Sequence, residues 1–295
     1  MLKISPRHQQ PMHRNLIFFT TTAMIAFAGN SLLCRLALKQ TGIDAASFTA
    51  MRIVSGALVL WLILRLRGGK SVDAGNWPSA FALFAYAAGF SFAYMSLPAA
   101  TGALLLFGAV QATMIGFGLW SGERLGWRQW LGLVCAFAGL ASLLLPGLSE
   151  QVAAPTLLGS ALMLVAGISW GIYSLRGRGT GDATAMTAGN FLRAVPMALL
   201  LSVATIRWAS LDSLGVCYAI ASGAVASGVG YAVWYTALRS LQATIAATVQ
   251  LSVPVIAAVG GIIFLGEAIS LNLLLAAAAI LGGIALVIMN RQSAK

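Results

Sequence analysis

Residues 122–145, GERLGWRQWLGLVCAFAGLASLLL, and residues 266–289, GEAISLNLLLAAAAILGGIALVIM, open on the same Gly-Glu pair and run on as apolar stretches of equal length. At an offset of 144 positions Trp127–Leu145 lies over Leu271–Met289, and Gly139 falls on Gly283. Other landmarks repeat in the same order. Asp44 opens one apolar run and Asp182 opens another, and Phe27-Ala28 corresponds to Trp170-Gly171. The chain therefore reads as one unit present twice.

Outward from these two stretches, ten runs are each long enough to cross a hydrocarbon core of about 30 Å as a helix. They fall at 15–38, 44–66, 77–96, 101–120, 127–145, 155–175, 183–204, 213–237, 241–264 and 268–289. The links between them are short, so neighbouring helices form antiparallel hairpins and no soluble domain fits between them. Each copy holds five helices. Five is odd, so the second copy enters the membrane in the opposite sense to the first. The expected fold class is an all-α integral membrane protein of ten transmembrane helices in two inverted five-helix repeats. Residues 1–14 form an N-terminal tail, 15–147 the first repeat, 155–290 the second and 291–295 a C-terminal tail. Glu123 and Glu267 should then face opposite sides. Inverted repeats are a transporter architecture, with the site at the repeat interface near the midplane.

Composition agrees with a lipid solvent. Hydrophobic residues make up 59% of the chain and charged residues 8%, against about 25% charged in soluble domains. The net charge of +11 does not indicate nucleic acid, because the basic residues sit in the gaps between apolar runs. With the N-terminus inside, the cytoplasmic segments hold Lys3, Arg7, Arg14, Arg65, Arg67, Lys70, Arg124, Arg128, Arg176, Arg178, Arg239, Arg291 and Lys295. The other side holds only Arg35, Lys39 and Arg207. That bias orients the chain with both termini in the cytoplasm. The first run follows Arg14 and is long enough to span, so it reads as a retained helix rather than a cleaved leader. The expected location is a bacterial inner membrane. Cys34, Cys135 and Cys217 have no paired spacing and read as packing residues.

Ala237-Leu238, Pro254 and Gly266-Glu267 at the head of the last span resemble the EamA repeat of the drug/metabolite transporter superfamily. The region of Asn30 and Arg35, and Arg52 early in the second span, resemble its other landmarks. The resemblance covers the whole chain in two copies. In the first copy Val110, followed by Gln111, stands where the second has Pro254. Leu104–Met114, LLLFGAVQATM, is most similar to the YddG-type branch. That likeness implies export of aromatic and other neutral amino acids. The runner-up reading is export of another metabolite or a drug, with or without proton coupling.

The acidic residues Asp44, Asp73, Glu123, Glu150, Asp182, Asp212 and Glu267 all map to loops or span ends, and His8 and His13 lie in the tail. Proton-driven carriers relay protons through buried Asp, Glu or His. None stands at the midplane, so the expected cycle is alternating access by uncoupled facilitated diffusion. For Glu123 and Glu267 the simplest role is to sit at a nearby helix N-terminus, where a negative charge is favoured. The same lack of acids and histidines in the spans leaves no intramembrane protease site, no metal site and no cofactor site. The chain reads as no enzyme. Its partners are a small-molecule substrate, for which amino acids fit, and the lipid bilayer; a monomer is compatible with the sequence.

The candidate substrate-binding residues are Tyr86, Tyr94, Gln111, Trp170 and Gln250, with Asn30 and Trp234 beside them. They combine midplane depth with side chains suited to a partly apolar zwitterion: amides for polar ends and rings with a polar tip for the remainder. Arg52 and Arg193 fall inside spans, where a charge is costly. They are expected either to bind carbonyls and polar partners or to face the pathway.

Overall fold

The computed structural model describes residues 10–68, 74–144, 156–177 and 181–266, and short helical pieces between 271 and 286. Among the described residues all regular structure is helical. The helices are α1 (Gln10–Gln40), α2 (Ala45–Leu66), α3 (Trp77–Tyr94), α4 (Ala99–Trp120), α5 (Trp127–Leu144), α6 (Leu157–Arg176) and α7 (Ala183–Ala204). They are followed by α8 (Ser213–Leu238) and α9 (Ala243–Leu265). These nine coincide with the first nine expected spans, with ends moved by a few residues. Seven are long and apolar enough to cross a membrane; α3 and α5, of 18 residues each, are not among those seven. Most of the tenth expected span, with Glu267, lies outside the described residues, as do residues 1–9 and 291–295.

Helix starts follow from capping chemistry. Asp44 accepts from the backbone N–H groups of Ala46 and Ser47 at the start of α2, Asp182 from Thr184 at α7 and Asp212 from Gly215 at α8. A carboxylate there satisfies orphan donors and meets the positive end of the helix dipole. The start of α9 is capped from a distance. Its N-cap residue Gln242 makes no side-chain bond. Instead Glu123 Oε1 accepts from Ala243 N at 3.1 Å, and Oε2 accepts from Thr244 N at 3.2 Å and from the Thr244 hydroxyl. All four described carboxylates thus serve helix N-termini.

Two helices depart from regular geometry. In α8 the stretch Ser222–Val229 is π-helical. In α9 the helix is interrupted at Leu251, between Ala243–Gln250 and Ser252–Leu265. Pro254 accounts for the second break: it lacks an N–H and its ring clashes with the carbonyl four residues earlier, that of Gln250.

The core lies between the two halves of the chain. α1 packs on α8 and α9, α2 on α7 and α8, α3 on α6 and α7, and α4 on α6 and α9. Replacing each helix by the one five places on, or back, reproduces this set of contacts: α1–α9 becomes α6–α4, α1–α8 becomes α6–α3, and α2–α8 becomes α7–α3. The loops sort into two groups. Asp44 exchanges bonds with Ser210, and Ser96 bonds Thr156. In the other group Arg176 bonds Asn76, Glu123 bonds Ala243, and Arg239 bonds the Gly181 carbonyl. Glu123 thus sits at the first residue of α9 and Gly266 just past its last. For 23 residues the separation is about 34 Å along the helix axis.

The outer surface is apolar. Leu58, Leu62 and Leu66 of α2 and Leu199, Leu200 and Val203 of α7 are exposed, a distribution that suits lipid and not water. Trp77, Trp120, Trp127, Trp130 and Trp208 are exposed at or beside helix ends, the positions of an interfacial belt. Cys34 is buried, Cys135 half-buried and Cys217 exposed, so packing within the protein does not account for Cys217.

Candidate functional site

Arg52 on α2 is the largest buried charge among the described residues, at 1% exposure. Its Nε donates to Ser227 Oγ at 3.0 Å, and its Nη2 donates to Tyr86 Oη at 3.0 Å and to Tyr231 Oη at 2.8 Å. The guanidinium carbon lies 5.0 Å from the ring centroids of both Tyr86 and Phe90, within cation–π range. Tyr231 Oη donates to Tyr86 Oη at 3.2 Å. Asn30 of α1 completes the polar part. Its Nδ2 donates to Tyr86 Oη at 3.1 Å, while its Oδ1 accepts from Ser222 Oγ at 2.6 Å and from Ser227 Oγ at 3.5 Å.

The π-helical stretch makes this geometry possible. In an α-helix residues five apart point about 140° away from each other. A wider turn that closes i→i+5 bonds brings them nearly onto one face, so Ser222 and Ser227 both reach Asn30 Oδ1. Close approach of that stretch to α2 requires Gly223. A Cβ there would lie 2.0 Å from Ser55 Oγ and 2.1 Å from the Arg52 carbonyl oxygen. The glycine lets α8 run against the backbone of Arg52, which puts Ser227 beside its guanidinium.

An aromatic group adjoins the polar one. Phe27 of α1 stands edge-on to Trp170 at 5.2 Å, Trp234 at 5.7 Å and Tyr231 at 5.8 Å between ring centroids. Trp170 of α6 also meets Tyr231 at 4.6 Å and Tyr86 at 5.0 Å. Its indole Nε1 donates to Gln250 Oε1 at 2.8 Å. Gln250 sits immediately before the break in α9, and its Nε2 reaches the Ala246 carbonyl at 3.2 Å and Met114 Sδ at 3.4 Å.

Of the residues expected from sequence to line a site, Asn30, Tyr86, Trp170, Gln250 and Trp234 come together here. Tyr94 and Gln111 do not join them directly. Tyr94 lies eight residues further along α3, about 12 Å from Tyr86 along the axis. Its ring packs on Phe90 at 4.7 Å and its hydroxyl donates to the Ala99 carbonyl at 3.3 Å. Gln111 joins α4 to α9 by donating from Nε2 to the Ala247 carbonyl, and its Oε1 is buried with no partner among the described residues. The two in-span arginines also part company. Arg193 bonds the carbonyls of Ala74 and Gly189 at 2.9 and 3.0 Å, tying down a connection, whereas Arg52 is in the cluster. Four further residues of the cluster, Tyr231, Phe27, Ser222 and Ser227, were not among the candidates the sequence offered.

The cluster is closed in this conformation. The seven expected residues are at most 4% exposed, and the rings of Tyr86, Trp170 and Tyr231 lie against one another. Cavities of about 440 and 610 Å³ lie elsewhere. One is between α4 and α5, lined by Ile115, Trp130 and Phe137; the other is among α2, α7 and α8, lined by Val54, Leu199 and Ile220.

Chemically, the arrangement offers a fixed positive charge, several hydroxyls and an aromatic wall where five helices from both halves meet. Groups of this chemistry can pair with a polar end and an apolar end of one small molecule. The comparisons agree with a carrier. A family model described as EamA-like transporter family matches residues 14–145 and, a second time, 157–289. The uncharacterized protein PA1977 of Pseudomonas aeruginosa is 55% identical over 279 residues, which cover 94% of this chain and 96% of that protein. An uncharacterized transporter of Archaeoglobus fulgidus is 25% identical over 256 residues, 83% of this chain and 87% of that protein. A solved structure described as "Crystal structure of protein" superposes with a TM-score of 0.73, over 96% of this chain and 99% of its own, at 19% identity, a likeness of fold alone. The chain belongs to the EamA-like transporter family and is a multi-pass membrane protein.

Proposed function

We propose that this protein exports aromatic and other neutral amino acids, or similar small zwitterionic metabolites, across a bacterial inner membrane by alternating access. The observation that carries the reading is the joint polar and aromatic cluster of Asn30, Tyr86, Trp170, Tyr231 and Trp234, built by α1, α3, α6 and α8 where the halves meet. An aromatic side chain can replace the ring-on-ring contacts, and the polar end can take over bonds now made among Arg52, Asn30 and the tyrosines. Opening to either side requires the halves to rock around this point.

In this reading ten helices form two inverted five-helix repeats, 15–147 and 155–290, with both termini in the cytoplasm. The exchange of contacts on moving five helices along supports it, and so does the position of Glu123 at one end of α9 and Gly266 at the other. Single cysteines placed at Glu123 and Glu267 in a cysteine-free background provide the check. Membrane-impermeant maleimide is expected to label the Glu267 position from outside intact cells and the Glu123 position only after permeabilisation. Labelling of both from one side contradicts the inversion.

Transport is not coupled to protons in this account. The four described carboxylates are engaged at helix N-termini, away from the cluster. In proteoliposomes with L-phenylalanine equal on both sides, an imposed pH gradient is expected to produce no net accumulation. Accumulation would assign the coupling to Glu123 or Glu267 and favour the proton-coupled alternative.

A further inference from the structure

A guanidinium carries five N–H donors and no acceptor. Around Arg52 the Nε and Nη2 atoms have acceptors, but Nη1 is buried with no hydrogen-bond partner among the described residues. Among the described residues no carboxylate pairs with it: Asp44, Asp182, Asp212 and Glu123 are all occupied at helix ends. The groups that do touch Arg52 are hydroxyls and ring faces. A second donor in the same aromatic cluster, Trp234 Nε1, is also buried with no partner among the described residues. A buried charge without a counter-charge costs several kcal/mol, so a purely structural role would leave this arrangement poorly compensated. An acceptor-rich, negatively charged group supplies what is missing.

We propose that Arg52 is the anchor for a carboxylate on the transported solute. One carboxylate oxygen accepts from Nη1. The other accepts from Nη2 in place of a tyrosine hydroxyl, giving the two-pronged pairing to which a guanidinium is suited. The released Tyr86 and Tyr231 hydroxyls can still bond each other and Asn30. The rest of the solute then lies against Phe27, Trp170 and Trp234, and an ammonium group can rest on the Tyr86 or Trp170 ring face. This inference deepens the proposed function and rests on it for the apolar part only. It selects carboxylate-bearing solutes over amines and amides of the same shape.

The test compares three probes on the full-length purified protein by calorimetry: L-phenylalanine, L-phenylalaninamide, which lacks the carboxylate, and 3-phenylpropionate, which lacks the ammonium. The wild type is expected to bind L-phenylalanine at least about 30-fold more tightly than the amide, the scale set by losing one partner of a buried charge pair. Arg52→Gln should abolish that preference and Arg52→Lys should keep part of it. Equal binding of phenylalanine and its amide by the wild type overturns the anchor while leaving the amino-acid reading in place. Binding of phenylpropionate without phenylalanine keeps the anchor and overturns the amino-acid reading. Failure of every carboxylate-bearing probe to bind overturns the anchor. The wild-type comparison varies the ligand, so it stands even where an Arg52 variant fails to fold.

Discussion

Trp170→Ala is expected to lower transport of neutral amino acids by at least about tenfold and to reduce thermal stability, since truncating a buried aromatic residue costs about 3–5 kcal/mol. Trp170 is the hub of the aromatic cluster. It contacts Phe27, Tyr86, Tyr173 and Tyr231 and is the indole partner of Gln250. Trp170→Phe separates packing from binding. It keeps an aromatic ring but leaves Gln250 Oε1 without its donor, a loss of about 1–3 kcal/mol. Stability of the phenylalanine variant should fall less than that of the alanine variant, with affinity for the solute reduced in both. Detergent-extracted protein followed by its melting temperature, together with exchange rates in vesicles, distinguishes the two contributions. Normal exchange by Trp170→Ala at normal expression removes Trp170 from the site.

Gly223→Ala should have a comparable effect through a different route. The added Cβ meets the Arg52 carbonyl oxygen at 2.1 Å, and a backbone atom cannot turn aside as a side chain can. α8 must therefore move off α2, carrying Ser227 away from Arg52 Nε. Overpacking of this kind costs about 1–3 kcal/mol and occasionally more. Gly29→Ala is the matched control, on the neighbouring helix and one residue from Asn30. A Cβ there meets nothing within 4 Å, and an alanine that fits its backbone is neutral or stabilising by about 0.4–1 kcal/mol. Melting curves and transport of the two variants side by side should therefore move apart. If Gly223→Ala behaves like Gly29→Ala, the close approach of the π-helical stretch does not set the site.

The parts of this molecule that sequence made visible are those governed by lengths and by single residues at boundaries. Runs that must cross a membrane have a minimum length, and Asp44 and Asp182 mark helix starts because a carboxylate suits that end of a helix. Glu123 was assigned the same simple role and fills it, although the helix it caps, α9, begins 120 residues further on. Depth along a span was also readable, which is why Tyr86, Trp170, Gln250, Asn30 and Trp234 meet. Azimuth was not. Helices apolar on every side carry no periodicity to mark the inward face, so Gln111 has suitable depth yet is turned toward the Ala247 carbonyl. Nor does SGAVASGVG, residues 222–230, announce a π-helical turn, since its small residues fit an α-helix equally well. The partner of Arg52 was hidden for a related reason: Tyr231 lies 179 residues away, and only the packing of α2 against α8 brings the two together.

The inward-facing polar groups and outward-facing leucines together explain why the two halves stay joined in lipid. Apolar faces gain nothing from leaving a lipid solvent, so association depends on close packing of small residues and on bonds between helices. Gly223 supplies the first, and the Arg52–Ser227 and Asn30–Ser222 pairs supply the second. These bonds cross between the halves at the place where the proposed alternating access would loosen and re-form them.

The most direct measurement of the central claim is counter-flow. Proteoliposomes loaded with unlabelled L-phenylalanine are diluted into a trace of the labelled compound. A transient accumulation of label above equilibrium is expected, saturable by other neutral amino acids, absent from protein-free vesicles and strongly reduced in Trp170→Ala. Absence of any such overshoot for aromatic and other neutral amino acids, with correctly folded and inserted protein, contradicts it.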